Sequence, residues 1–514
     1  MNRREIPVLS AEELSAASSP PLGHFVGRLR KVTWIVAVAV AVNASAGQAS
    51  QKVSIVNISQ NAPTFGSVFP EVKASPTDPN VVAVAWRRYA LPVDTNGDQN
   101  SRTADCHVSV SFDAGEIFRD TNLMPYLREP AVNVGEPEPN LYFCNAPWVA
   151  FGWGPAIYAG GSVFTPLGVI GPLPKQGRAL ITVSTDFGST WSAPTYGIRF
   201  NNFTPGLTGL GGGTTPPDTP WDGSNGFVDA RSQTFYSTSG AYVTASNDPA
   251  QRFRFRDVHQ PSFHPVHELT SASLPGWTVS TVGVMSASFR VLGAPFFATA
   301  SPIAGALCPC LGYATSVDYG KTWHAQLVAE ADEFNNNVTG DTARSPFSAS
   351  DPSTPGRVAI GAYTPDHASV QVFYTEDGGQ GWKSAIAAAP SDVPVTSAKK
   401  LGVGFTLGGR VLVVWRGFQS GGAFDTLAAL LHGGHFGPTI RVSPQSSTYP
   451  YLTTLAACNA LLPPTKACYD TSNGGGDFST WITGNYLYAF VAFPYMPGGR
   501  VEDTYFARIP LSMM

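Results

Sequence analysis

The sequence predicts an all-β fold made of repeated strand units. Three observations carry the prediction: a turn-rich and weakly charged composition, a short aspartate–glycine pattern that recurs along the chain, and a pair of strand-like runs before each copy. The 514 residues include 52 glycines and 43 prolines, while charged residues are only 13%. That is roughly half the ~25% of an ordinary soluble domain. Hydrophobic residues at 43% and aromatics at 11% allow a large core. Such a composition excludes a charged disordered chain, a coiled coil and a helix bundle. No stretch shows sustained 3.6-residue periodicity with caps. The net charge of −4 offers no basic field to a nucleic acid.

The recurrent pattern is Ser/Thr-x-Asp-x-Gly-x-x-aromatic. It is clearest at Ser184–Trp191, Ser316–Trp323 and Thr375–Trp382, weaker at Ser111–Phe118 and degenerate at Ser246–Phe253. Its aspartates, Asp113, Asp186, Asp248, Asp318 and Asp377, are spaced 73, 62, 70 and 59 residues apart. The residue types specify a hairpin turn. An aspartate carboxylate accepts backbone N–H bonds within the turn. Glycine takes the left-handed conformation, and the tryptophan anchors the turn on apolar surface. A strand-like run precedes each copy.

This pattern resembles the Asp box, or BNR repeat, of the sialidase superfamily and related β-propellers. The resemblance covers nearly the whole chain after residue 50. It implies a single β-propeller whose boxes lie at the blade rim, away from any active site, so all five aspartates are expected to be structural. Counting the paired runs predicts seven blades, with six as the alternative. The seventh unit has only three strands, so the run Val53–Ile58 is expected to supply its outer strand and close the ring.

Residues 1–46 read as an extension and a secretory signal, and 47–514 as the propeller. Arg28, Arg30 and Lys31 precede an apolar run over Val32–Val42 and the small residues Ala44-Ser45-Ala46. That order predicts cleavage after Ala46 and a secreted or periplasmic protein. A start at Val26 would give a signal of ordinary length. The run is too short to span a bilayer, so the mature chain is expected to have no transmembrane segment. Six cysteines suit an oxidising compartment. Cys458 with Cys468 and Cys106 with Cys144 are the expected pairs. Cys308-Pro309-Cys310 is awkward for a bridge between its own members, and six cysteines leave 15 connectivities open, a pairing elsewhere among them.

In such a ring, the start of each innermost strand opens at one end of the central channel. That places Glu71, Asp218 and Asp341 as candidate catalytic carboxylates, able to act as acid and base on a glycosidic bond. Arg344, Trp221, Asn145, Lys399, Lys400 and Asp477 are the candidate substrate-binding residues beside them. The resemblance also implies three arginines around a substrate carboxylate, a Tyr–Glu nucleophile and an Asp acid/base. Only Arg344 sits at an expected position, and no Tyr–Glu pair can be placed. Arg508-Ile509-Pro510 matches a family motif but lies at the carboxyl end, where Arg508 reads as ending a strand. Of Arg87 and Arg88, at least one is expected to face solvent.

Asp94, Asn96, Asp98, Asn100 and Asp105 have the spacing of a calcium loop, without its glycine or flanking helices. Apart from that structural calcium, no cofactor is expected. His259, His264 and His267 read as a surface loop. The expected function is a carbohydrate-directed, glycoside hydrolase-like or lyase propeller acting on a glycan or glycoprotein as a monomer, without nucleic acid. The alternatives are a non-catalytic propeller binding a glycan or protein, or an assembly factor.

Overall fold

The computed structural model describes residues 52–60, 65–90, 105–127, 143–164, 176–192, 195–201, 225–239, 242–246, 267–335, 346–420, 422–448, 480–495 and 503–514. All of these lie in one compact unit, Lys52–Met514. Alternating apolar runs broken by glycine and proline give β-structure throughout. Among the described residues the α-helix is a single turn, Met124–Leu127, and no helix is long and apolar enough to cross a membrane.

The described strands form seven antiparallel sheets. The first holds Phe65–Ala74, Val82–Ala90, Asp105–Ser111 and Arg119–Asn122 in that order. The second holds Phe143–Phe151, Ile157–Phe164, Gln176–Ser184 and Thr195–Asn201. The third holds Asn225–Asp229, Thr234–Ser239, Tyr242–Ser246 and His267–Glu268. In the fourth, Thr278–Val282 and Ser286–Ser288 both pair with Val291–Ala300, followed by Cys310–Ser316 and His324–Ala329. The fifth holds Phe347–Ser350, Val358–Tyr363, Val370–Thr375 and Lys383–Ala387. The sixth is Val395–Phe405, Val411–Gln419 and Ala423–His432, bordered by short outer strands that include Ile440–Arg441. The seventh is Trp481–Gly484, Tyr488–Tyr495 and Asp503–Pro510.

Ser54–Asn57 is the fourth strand of the seventh sheet, with Ser54 opposite Arg508 and Asn57 opposite Tyr505. Asn57 and Ser59 fasten it further by donating to the Asp503 carboxylate at 3.1 and 3.0 Å. Ile55 packs on the cluster that holds Val491, Ala507 and Ile509. The first strands of successive sheets lie against one another, and Trp481–Gly484 of the seventh lies against Phe65–Ala74 of the first. Where first strands bridge directly, at Val284 with Phe347 and at Thr406 with Gly484, they run parallel.

The core lies between sheets, where large side chains meet glycine backbone. Trp148, 1% exposed, fills the space above Gly160 of its own sheet and Gly226 of the next. A Cβ on Gly226 would stand 2.7 Å from that ring, inside van der Waals contact. Phe235 stacks on Trp148 at 5.4 Å.

Four copies of the repeated pattern are described, and they share one geometry. Residue pairs Ala114-Gly115, Phe187-Gly188, Tyr319-Gly320 and Gly378-Gly379 all have positive φ, the turn that matches strand twist. In each, the Ser or Thr hydroxyl bonds the aspartate and receives the N–H of the glycine two residues after it, as at Ser316. The turns also join sheets. Gly188 packs on Val110 of the sheet before, Gly320 on Val243 and Gly115 on Phe506. Asp248 lies outside the described residues.

Hydrogen bonds set the acidity of these aspartates. The Thr190 hydroxyl and N–H, with Ser184, hold Asp186 at about 2. Burial pushes Asp318 up, but the Thr322 N–H and hydroxyl and Ser316 outweigh it and hold it at about 2. Both values lie below the ordinary 3.8. The stabilisation is therefore complete above that value and is lost as pH falls through the folded value. Replacing Asp186 and Asp318 by Asn is expected to cost about 1 kcal/mol per turn at pH 6. It should also flatten the fall in melting temperature between pH 4 and 2. An unchanged acid slope in the double variant, read by thermal unfolding, would contradict this origin.

In the fourth sheet Phe289 and Arg290 take left-handed φ of 51° and 68° and turn the chain between Ser288 and Val291. The cysteines differ in part from the sequence reading. Cys308 is bridged to Cys310, with Cα atoms 4.2 Å apart, instead of pairing elsewhere. The two thiols flank one proline, which leaves them within disulfide reach. Cys106 is bridged to Cys144, joining the first and second sheets. Cys458 and Cys468 lie outside the described residues.

Candidate functional site

The first strands of the first, second and sixth sheets each carry a mid-strand bulge with a positive-φ residue. The register shifts between Val68 and Glu71, between Asn145 and Trp148, and between Lys399 and Gly402. Phe69, Ala146 and Lys400 take positive φ at these bulges. Each bulge re-aims the strand. Asn145 and Lys399 therefore occupy equivalent levels just before the bulge, and Glu71 lies just beyond it.

The second strands place arginines at the same level. Arg87 is opposite Val68 and Arg416 is opposite Lys399, and both are buried. The Arg416 guanidinium lies 4.8 Å over Phe424, and the Lys399 ammonium 5.3 Å over Phe418. Arg88 reaches outward and pairs with Asp105 at 2.7 Å. Sequence reading missed Arg416, whose only signal was a charge inside the apolar run 411–418.

Below the bulges the first strands of all seven sheets surround a cavity of about 170 Å³. Glu71, 3% exposed, and Lys73 stand on one wall with Oε1 and Nζ 3.0 Å apart. The Lys73 ammonium lies 4.1 Å over the Trp481 ring. Another wall carries Ser286, Ser348 and Ser350 in contact through their hydroxyls. Behind them burial pushes the Tyr313 phenol well above its ordinary value, against the opposing hydrogen bond with Ser350. Asp229 also borders the cavity, but Arg231 N–H, Ser232 N–H, Ser232 Oγ and Arg290 N–H all donate to it. It is a turn-capping group.

Of the candidate residues, Glu71 borders this cavity, while Lys399 lies above it on the flank of the sixth sheet. Lys400 is fully buried and its carbonyl receives the Thr480 hydroxyl. Asn145 is placed by its backbone alone. Asp218, Trp221, Asp341, Arg344 and Asp477 lie outside the described residues, as do Asp94, Asn96, Asp98 and Asn100. Asp105 begins the third strand of its sheet, with its carboxylate on Arg88 and Asn122. Arg508 is interior to its strand rather than at its end, and it donates to Glu116 at 2.8 Å and to the Asp113 carbonyl. It ties the seventh sheet to the first turn of the repeat.

No family model matches the chain and no curated protein matches it. Solved structures do. A protein of unknown function from Dyadobacter fermentans is 12% identical, with 89% of this chain and 99% of that one covered and a TM-score of 0.41. The sialidase of Trypanosoma rangeli, bound to 2,3-difluorosialic acid, is 10% identical over 89% of this chain at a TM-score of 0.39, and the match spans 58% of its own length. An α-L-arabinofuranosidase from Fusarium graminearum is 14% identical over 74% of this chain and 97% of its own, also at 0.39.

Proposed function

We propose that the chain is a secreted seven-bladed β-propeller, closed by Ser54–Asn57, that acts on a glycan at the amino ends of its innermost strands. One observation supports the reading: the backbones of Asn145 and Lys399 share one level at the bulges of two first strands. In sequence, Trp221 precedes Asn225, Arg344 precedes Phe347 and Asp477 precedes Trp481 by three or four residues, so in this reading these residues, remote in sequence, meet at one mouth.

In this reading Asp218 and Asp341 are the acid and base of a glycoside hydrolase-like site. Arg344, Trp221, Asn145, Lys399 and Asp477 hold the substrate, and Glu71 closes the floor. A calcium ion in the loop Asp94–Asp105 would be structural. The signal ahead of residue 47 sends the chain out of the cytoplasm. One observation favours a second reading, a propeller that binds glycan without cleaving it: the Glu71 carboxylate is already engaged by Lys73.

Asp218→Asn and Asp341→Asn are expected to lose roughly 10²–10⁴-fold in kcat/KM on a fluorogenic glycoside, and Arg344→Ala chiefly to raise KM. Full rates in all three would move the site away from the mouth. Binding on a glycan array without turnover would favour the second reading.

A further inference from the structure

The hydroxyls at the cavity wall have a fixed direction. Ser348 Oγ donates to the Val284 carbonyl at 2.8 Å. A serine has one hydroxyl hydrogen, so the 3.0 Å contact between Ser286 and Ser348 is donated by Ser286. The 2.8 Å contact between Ser286 and Ser350 is then donated by Ser350, whose oxygen in turn accepts from the Tyr313 phenol. All three hydrogens are consumed along the row, and each oxygen keeps at least one lone pair. The row presents acceptors and no donor.

The rest of the cavity selects among ligands that donate. Lys73 lines the same space and repels a free cation. The Asp229 carboxylate carries four hydrogen bonds already, and Glu71 faces Lys73. A neutral ligand with hydroxyl groups meets all three conditions. It donates to the serine row, accepts from the Lys73 ammonium, and lays carbon against Trp481 and Phe347, which meet edge to face at 5.0 Å. The volume of about 170 Å³ is comparable with the ~150 Å³ cavity that holds one benzene ring. A polar cavity of this kind is filled by water until a ligand reproduces those bonds.

We propose that the channel below the bulges is a second binding site, for one neutral sugar ring or a polyol of that size, held by Ser286, Ser348, Ser350 and Lys73. The site lies below the bulges and shares Glu71 with the proposed mouth, but its ligand contacts do not depend on chemistry there.

The test is saturation-transfer NMR and calorimetry on the full chain, with D-glucose, D-galactose, L-arabinose and glycerol as probes. Saturable binding of at least one probe is expected. It should weaken tenfold or more in Ser286→Ala/Ser350→Ala and persist in Lys399→Ala. Ser286→Thr keeps a hydroxyl but adds a methyl group to the cavity, so it should weaken binding with an unchanged melting temperature even if the double variant folds poorly. Binding lost in Lys399→Ala and kept in the serine variants would overturn the proposal while leaving the mouth in place. No saturable binding of any probe would overturn it, as would stabilisation by sodium or potassium chloride alone.

Discussion

Trp148→Ala is expected to cost about 3–5 kcal/mol of folding free energy. The indole fills the gap between the second and third sheets, and glycine at 160 and 226 makes room for it on both sides. Its removal leaves Phe235 without its stacking partner and opens a void that Gly226, having no side chain, does not fill. The converse change, Gly226→Ala, places a methyl group against the ring and should cost about 1–3 kcal/mol. Urea unfolding of the two variants checks both values. A Trp148→Ala cost below 1 kcal/mol would mean that the two sheets are not packed through this residue.

The second large effect concerns the chain ends. Deleting residues 47–59 is expected to remove cooperative folding, an effect on the scale of the whole ~5–15 kcal/mol of a domain. Asp503–Pro510 would then present an unpaired edge, and Asp503 would lose Asn57 and Ser59. The apolar cluster around Val491 and Ile509 would lose Ile55. A separate synthetic peptide of residues 50–60 should restore part of the lost melting transition. A deletion variant that melts as sharply and at the same temperature would contradict closure by the amino-terminal strand.

What the sequence disclosed follows from how local each signal is. The repeated turns were legible because the aspartate, the hydroxyl two residues before it and the glycine two residues after it act within one turn. The pairing of Cys106 with Cys144 was legible as one choice among several. The turn at Phe289-Arg290 was not, since left-handed φ at two bulky residues runs against every local preference. The hairpin pairing of Ser288 with Val291 and the Arg290 N–H bond to Asp229 of the third sheet hold it. The Cys308–Cys310 bridge was hidden for a similar reason: adjacency reads as awkward until the backbone is known. Arg508 carried a motif-like context, yet its partner Glu116 is 392 residues away.

What was legible of the candidate residues came from topology more than from chemistry. Knowing where first strands begin is enough to put Asn145 and Lys399 at equivalent levels beside the bulges, with Glu71 beyond its own. The serine row was not legible. Ser286 and Ser348 are 62 residues apart, and serine in a strand carries no signal of its own. Only the register between the fourth and fifth sheets brings the hydroxyls together. Lys73 carries no local signal either, since the ring it covers, Trp481, comes from the far end of the chain.

The measurement that tests the account most directly is turnover and binding by the full chain across a panel of fluorogenic glycosides, sialosides included, alongside a glycan array. The account predicts a saturable signal on at least one glycan, abolished by the mouth variants Asp218→Asn and Arg344→Ala. Neither release nor retention on any glycan would contradict a carbohydrate-directed function and leave the seven sheets as a scaffold for another partner.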